Sequence, residues 1–72
     1  MAHTPEEVQD ILMAVAALGS ARKALFDANE VWIKAGKPEN GPVAAEWHRT
    51  RQVHSEALAA VYKIADILEA TP

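Results

Sequence analysis

The chain has 72 residues and a net charge of −3, with seven lysines and arginines against ten aspartates and glutamates. Half of the residues are apolar, but 15 of these are alanines, which leaves only 21 large apolar side chains to build a core. This composition excludes the basic excess of an electrostatic nucleic-acid binder and the low hydrophobicity of a disordered chain. A core in so short a chain supplies only about 3–5 kcal/mol of net stability, so we expect a partner to complete it.

Three sequence features bear on compartment and on covalent chemistry. The absence of cysteine excludes a disulfide framework, a thiolate zinc site and a thiol nucleophile. The longest uncharged run, residues 11–21, is about half of the ~20 residues that cross a bilayer. A secretory signal has a basic start, whereas residues 3–7 are acidic. We therefore expect a cytoplasmic protein that does not associate with a membrane.

Residues 4–7 carry the strongest local signal in the sequence, the start of a helix. Thr4 is a capping residue, Pro5 suits the first helical position, and Glu7 can complete a capping box with Thr4. Apolar residues then recur at helical spacing; they are Val8, Ile11, Val15, Leu18, Leu25, Phe26, Trp32 and Ile33. Gly36 can cap the helix in the left-handed conformation, so helix one is predicted over about residues 5–35.

Prolines and glycines interrupt the helical pattern over residues 36–41, which are predicted to form the connector. Gly41 and Pro42 then start a second helix over about residues 42–70. Its apolar stripe consists of Val43, Trp47, His54, Leu58, Val61, Ala65 and Leu68. A short connector makes neighbouring helices antiparallel. The sequence therefore predicts one all-α domain over residues 1–72, a two-helix antiparallel hairpin.

Apolar residues cover more of each helix than a single partner helix can bury. The inward stripe of helix one is predicted to hold Ile11, Val15, Leu18 and Leu25, and further apolar residues lie round the helix from it; they are Leu12, Met13, Ala17, Ala24 and Val31. Helix two likewise has a second strip of Val53, Ala60 and Ile67. Such an excess marks an interface, so the hairpin is expected to self-associate, most simply as a dimeric four-helix bundle. The predicted self-association residues are Ile11, Leu18, Val53, Leu58, Val61, Ile67 and Leu68.

Gly19 and the two tryptophans bear on how the predicted helices pack. Gly19 lies inside helix one, where glycine costs about 1 kcal/mol relative to alanine, and it can mark a close approach of another helix. A turn centred near residue 39 places Trp32 against Trp47.

Polar side chains interrupt the predicted seam near the turn. Arg22 and Asn29 fall within the inward stripe of helix one, and Arg51 and His54 fall in or beside that of helix two. Buried without partners, these groups cost several kcal/mol, so Glu56, Asp27, each other or a ligand should satisfy them. A register-setting network and a ligand site both fit this pattern. The predicted recognition residues are Arg22, Asn29, Arg49, Arg51 and His54.

No metal site or catalytic group is expected. His48 and His54 are six residues apart, about 240° around a helix, so they cannot bind one ion from the same chain. Ser55 directly follows His54, which places the two side chains on different helix faces, and two helices make a poor pocket. The sequence therefore predicts a protein without a cofactor and without enzymatic activity.

Two functions remain open. The first is a small protein–protein interaction module, a regulator, inhibitor or accessory subunit, including one encoded by a phage or mobile element, that binds a protein partner. The alternative is a dimeric hairpin that binds RNA or DNA through the basic segment 47–51 together with Arg22 and Lys23. Acidic residues close to that segment favour the first.

Overall fold

The computed structural model describes residues 3–70, which form two α-helices that pack along each other as a hairpin. Helix α1 comprises Pro5–Lys34 and helix α2 comprises Pro42–Ala70. The Cα atoms span 52 × 17 × 13 Å, so the hairpin is a narrow rod. The all-α hairpin predicted from the sequence is confirmed. Over residues 3–70, neither helix combines the length and the apolar character that a membrane span requires.

The start of α1 is capped by Thr4. The backbone N–H of Glu7 donates to Thr4 Oγ1 at 3.2 Å, and Pro5 occupies the first helical position, where its missing N–H is not needed. The Glu7 carboxylate lies against the ring of His3, with Oε2 2.9 Å from Nδ1. The predicted hydrogen bond to the Thr4 side chain is therefore confirmed. The Glu7 carboxylate, the other partner in the predicted capping box, contacts His3.

Thr4→Ala should lower the free energy of unfolding by about 1 kcal/mol, because one N–H of the first turn loses its acceptor. Urea denaturation followed by circular dichroism measures this difference. Thr4→Ser is the matched control, since serine retains the hydroxyl. Equal stability of the alanine and serine variants would contradict the role of Thr4 as the cap.

The end of α1 reverses the chain through a left-handed glycine. Gly36 has φ +88°, its N–H donates to the Ile33 carbonyl at 3.0 Å, and the Lys37 N–H donates to the Trp32 carbonyl at 2.9 Å. These two bonds satisfy carbonyls that the last helical turn leaves without partners. The predicted cap at Gly36 is confirmed. The connector then leads to Pro42, which begins α2.

The two helices meet along a seam with heptad spacing. On α1 the seam residues are Ile11, Ala14, Leu18, Ala21, Leu25, Ala28 and Trp32; on α2 they are Val43, Trp47, Thr50, His54, Ala57, Val61, Ile64 and Leu68. The most deeply buried residues of the described chain are small: Ala21 is 5 % exposed, and Ala44 and Thr50 are 2 % exposed. Every large apolar side chain in residues 3–70 keeps part of its surface exposed.

Four residues predicted on the inward stripes are exposed to water instead. Val15 is 54 % exposed, and Ala65, Arg22 and Arg51 are exposed as well. The small side chains of the seam explain this correction. Because alanines form one of the two seam tracks on α1, the contact line runs between that track and the track of Ile11. Val15 and Arg22 each directly follow an alanine of the alanine track, about 100° round the helix from it, and therefore fall on the flank.

Candidate functional site

The turn end of the hairpin holds a pair of stacked tryptophans. The ring centroids of Trp32 and Trp47 are 3.9 Å apart and the ring planes differ by 2°. Their opposition was predicted from the position of the turn and is confirmed. Because each ring comes from a different helix, the stack joins α1 to α2 directly beside the connector. Aromatic pairs of this kind contribute more than their buried area alone.

Each indole N–H of this pair has an acceptor. Trp32 Nε1 donates to the Pro38 carbonyl at 2.9 Å, which ties the connector to α1, and Trp47 Nε1 donates to Asn29 Oδ1 at 3.1 Å, which ties α2 to α1. The buried Thr50 hydroxyl donates to the Trp47 carbonyl at 2.9 Å. We refer to Asn29, Trp32, Pro38, Trp47 and Thr50 as the tryptophan clasp. Its hydrogen bonds hold the connector and the two helices together at the turn.

The clasp replaces part of the polar layer predicted for the seam. Asn29 and His54 are half-buried, as that prediction requires. Asn29, however, is satisfied by Trp47 and not by the expected carboxylates, and the Glu56 carboxylate accepts from Gln52 at 3.2 Å. Within the described residues, no fully buried side-chain nitrogen or oxygen lacks a partner.

The two arginines predicted for the same layer reach outwards over aromatic rings. The Arg22 guanidinium lies 5.3 Å from the centroid of the Phe26 ring, and the Arg51 guanidinium lies 4.7 Å from a ring centroid of Trp47. Long arginine side chains can cover apolar surface with their stems while the charge stays in water, and the ring faces attract the cation. Both cations are consequently available at the surface of the hairpin.

The basic segment 47–51 is partly neutralised by its own helix. Arg49 donates from Nε and Nη2 to the Glu46 carboxylate, with Nε 2.9 Å from Oε2. These hydrogen bonds hold the pKa of the Glu46 carboxyl below its usual range and raise the pKa of Arg49. His48 is tilted against Trp47 at a centroid distance of 5.0 Å. The charge of Arg49 is therefore already matched within α2.

The residues predicted for self-association fall into two groups. Five of them are half-buried, four in the seam and Leu58 beside it; they are Ile11, Leu18, Leu58, Val61 and Leu68. Val53 and Ile67 are 41 % and 57 % exposed on α2. Most of the predicted set is thus already used to hold the two helices of one hairpin together.

Sequence reasoning placed the further apolar residues of helix one elsewhere on its surface and missed an apolar stripe directly beside the seam. Its large side chains are between 46 and 58 % exposed; they are Val8, Leu12, Val15, Phe26 and Ile33. Together with Gly19, Arg22 and Asn29 they occupy positions spaced alternately by four and three residues, which is heptad spacing. We refer to these eight positions as the α1 flank. Its signal in the sequence is a second heptad pattern offset from that of the seam.

Two surface depressions lie on opposite sides of the hairpin. One, of about 480 Å³, lies beside Gly19 and is bounded by Arg22, Phe26 and Leu58 among others. The other, also of about 480 Å³, has a mainly apolar floor; the residues that line it are Ala24, Asp27, Ala28, Val31, Pro42, Val43 and Glu46. The first depression therefore has a cation at its edge, whereas the second has two carboxylates.

Within residues 3–70, no group of three or more histidine, aspartate or glutamate side chains is placed to hold a metal ion. Comparison of the chain with models of known protein families, with curated proteins and with solved structures finds no match.

Proposed function

We propose that this chain is a non-catalytic, homo-oligomeric helical hairpin that acts through protein–protein contact, as a small regulator, inhibitor or accessory subunit in the cytoplasm. The observation that carries the proposal is the amount of surface that one hairpin leaves in contact with water.

The chain exposes more surface than a self-sufficient monomer of its size. Its accessible area is 5575 Å² at a mass of 7.8 kDa. A compact monomer of that mass is expected to expose about 4,400 Å², so the excess is about 1,200 Å² per chain. Two copies that bury this excess against each other would form an interface of about 2,400 Å², the size found in permanent homodimers.

The distribution of apolar side chains supports the same proposal. Large apolar residues are exposed to water on the α1 flank and also outside it. Those outside the flank include Met13, Val31, Val53 and Ile67, each at least 41 % exposed. Exposed apolar surface of this extent is typical of proteins that associate. A second copy would bury surface that one hairpin cannot cover.

A concentration series of thermal unfolding tests the proposal. A protein that unfolds from a dimer becomes more stable as its concentration rises, so the midpoint should increase by about 5–10 °C between 1 and 100 μM chain. Circular dichroism at 222 nm measures the midpoint at each concentration. A midpoint that is independent of concentration would show that the folded state is monomeric and would overturn the proposal.

Heparin chromatography separates the proposal from the nucleic-acid alternative. The Arg49–Glu46 ion pair leaves few unmatched cations on the basic segment, so we expect no retention at low salt. Retention that weakens in both Arg49→Ala and Arg51→Ala would instead favour nucleic-acid binding.

A further inference from the structure

We propose that the α1 flank is the surface through which two copies of this chain pair, with α1 antiparallel to α1 of the second copy and Gly19 facing Arg22 of that copy. This inference rests on the proposed self-association and specifies its surface and its register.

The first supporting observation is a glycine that the single hairpin does not need. Gly19 lies in the middle of α1, where glycine costs about 1 kcal/mol relative to alanine. Its backbone is ordinary right-handed helix, and a Cβ atom built on it would meet nothing within 4 Å. Neither backbone conformation nor packing within the chain therefore requires glycine here. Close approach of another chain does require a small residue.

The second observation is the register of the flank. The heptad positions of a helix form two tracks. In an antiparallel helix pair, each residue of one track lies opposite a residue of the other track on the partner helix. Applied to the α1 flank with Gly19 facing Arg22 of the second copy, this arrangement places Val15 opposite Phe26 and Val8 opposite Ile33. The smallest residue of the flank meets the longest, and four of the five large apolar residues meet each other, while Leu12 meets Asn29. The flank is therefore complementary to itself.

The two polar positions of the flank are compatible with this pairing. Asn29, which would face Leu12, turns its side-chain oxygen towards Trp47 and away from the flank. Arg22 borders the depression of about 480 Å³ beside Gly19, which offers room for the Arg22 stem of the second copy. The stem can cover apolar surface there while the guanidinium stays in water.

The symmetry of the arrangement also favours a second copy as the occupant. A patch that is complementary to itself across a two-fold axis gives a closed dimer, in which each chain uses the same residues. The excess exposed surface of about 1,200 Å² per chain matches the amount that one such permanent interface buries per subunit.

Disulfide trapping tests the register, because the natural sequence contains no cysteine. Val15→Cys and Phe26→Cys, mixed as equal parts and oxidised, should form the mixed disulfide. Each variant alone should form little disulfide, because two copies of one position then lie 11 residues apart, about 16 Å along the axis, whereas disulfides join Cα atoms about 4.4–6.8 Å apart. Val15→Cys mixed with Val31→Cys, which lies on the other side of α1, is the control and should give no mixed disulfide.

Substitution of Gly19 provides a second readout. Gly19→Leu should yield monomers at a concentration where the natural chain is dimeric, with helicity retained, because the added side chain fills the contact with the second copy but has open space in its own hairpin. Ser20→Leu is the control and should leave the dimer intact, because Ser20 is exposed and lies about 100° round α1 from Gly19, off the α1 flank.

The outcomes distinguish this inference from the proposed function. Suppose that the natural chain is dimeric but that the cysteine variants show no preference for the mixed Val15–Phe26 disulfide. The α1 flank is then not the interface, although self-association stands. A Gly19→Leu variant that is still dimeric leads to the same conclusion. Efficient disulfide formation by Val15→Cys alone indicates parallel pairing and overturns the register. A monomeric natural chain overturns both proposals.

Discussion

Trp47→Ala is expected to lower the free energy of unfolding by about 3–5 kcal/mol per chain. This loss is as much as the core of one hairpin supplies, so the variant should stay folded only as far as pairing with a second copy compensates for it. The indole of Trp47 stacks on Trp32 at 3.9 Å and donates to Asn29, so its removal leaves a gap between the helices and a half-buried amide without its donor. Urea titration followed by circular dichroism measures the loss.

Tyr62→Ala is the control for this substitution. Tyr62 is an aromatic residue of the same helix but is 62 % exposed, so its truncation should change the free energy of unfolding by no more than about 0.5 kcal/mol. Trp47→Phe should fall between the two, because phenylalanine restores part of the ring contact but not the hydrogen bond to Asn29. Equal stability of Trp47→Ala and Tyr62→Ala would contradict the role of the tryptophan clasp.

Ala21→Leu is expected to lower the free energy of unfolding by about 1–3 kcal/mol. Ala21 is 5 % exposed in the seam, so its methyl group has almost no free space around it. Three further heavy atoms at this position must push the helices apart or displace their neighbours. The effect should appear in a urea titration as a lower midpoint at an unchanged slope.

Ala59→Leu is the matched control for overpacking. Ala59 is exposed on α2, so a leucine there meets water and should alter stability by no more than about 0.5 kcal/mol. If both leucine variants were equally stable, tight packing around Ala21 would be refuted.

The ends of both helices could be predicted from the sequence because local chemistry determines them. Thr4 supplies the acceptor for the first turn, Gly36 adopts the left-handed conformation that ends α1, and Pro42 starts α2. Each of these signals acts within a few residues of the chain. The opposition of Trp32 and Trp47 followed from the turn position by simple counting along two antiparallel helices.

The inward face of α1 is predicted less well, because its large apolar residues define the predicted stripe, whereas alanine fits both a seam position and ordinary helix propensity. In the structure, alanines take part in the seam as fully as leucines, and the most deeply buried apolar residues of the described chain are two alanines, Ala21 and Ala44. The contact line is therefore displaced towards the alanine track. This displacement moves Val15 and Arg22 from the predicted interior to the flank and creates the exposed α1 stripe.

The clasp contacts depend on tertiary geometry that no local pattern contains. Asn29 and Trp47 are 18 residues apart, and the acceptor of Trp32 is the backbone carbonyl of Pro38 in the connector. Which side chains of the two helices can hydrogen-bond depends on how each helix is rotated about its own axis. The alanine-rich seam determines that rotation. For the same reason, the sequence indicated polar residues near the turn but not their partners.

The central claim, that this hairpin is completed by a second copy of itself, is tested most directly by its mass in solution. Sedimentation equilibrium of the natural chain at micromolar concentration should give about twice the chain mass of 7.8 kDa. A mass of 7.8 kDa across the whole concentration range, with full helicity and cooperative unfolding, would contradict the claim.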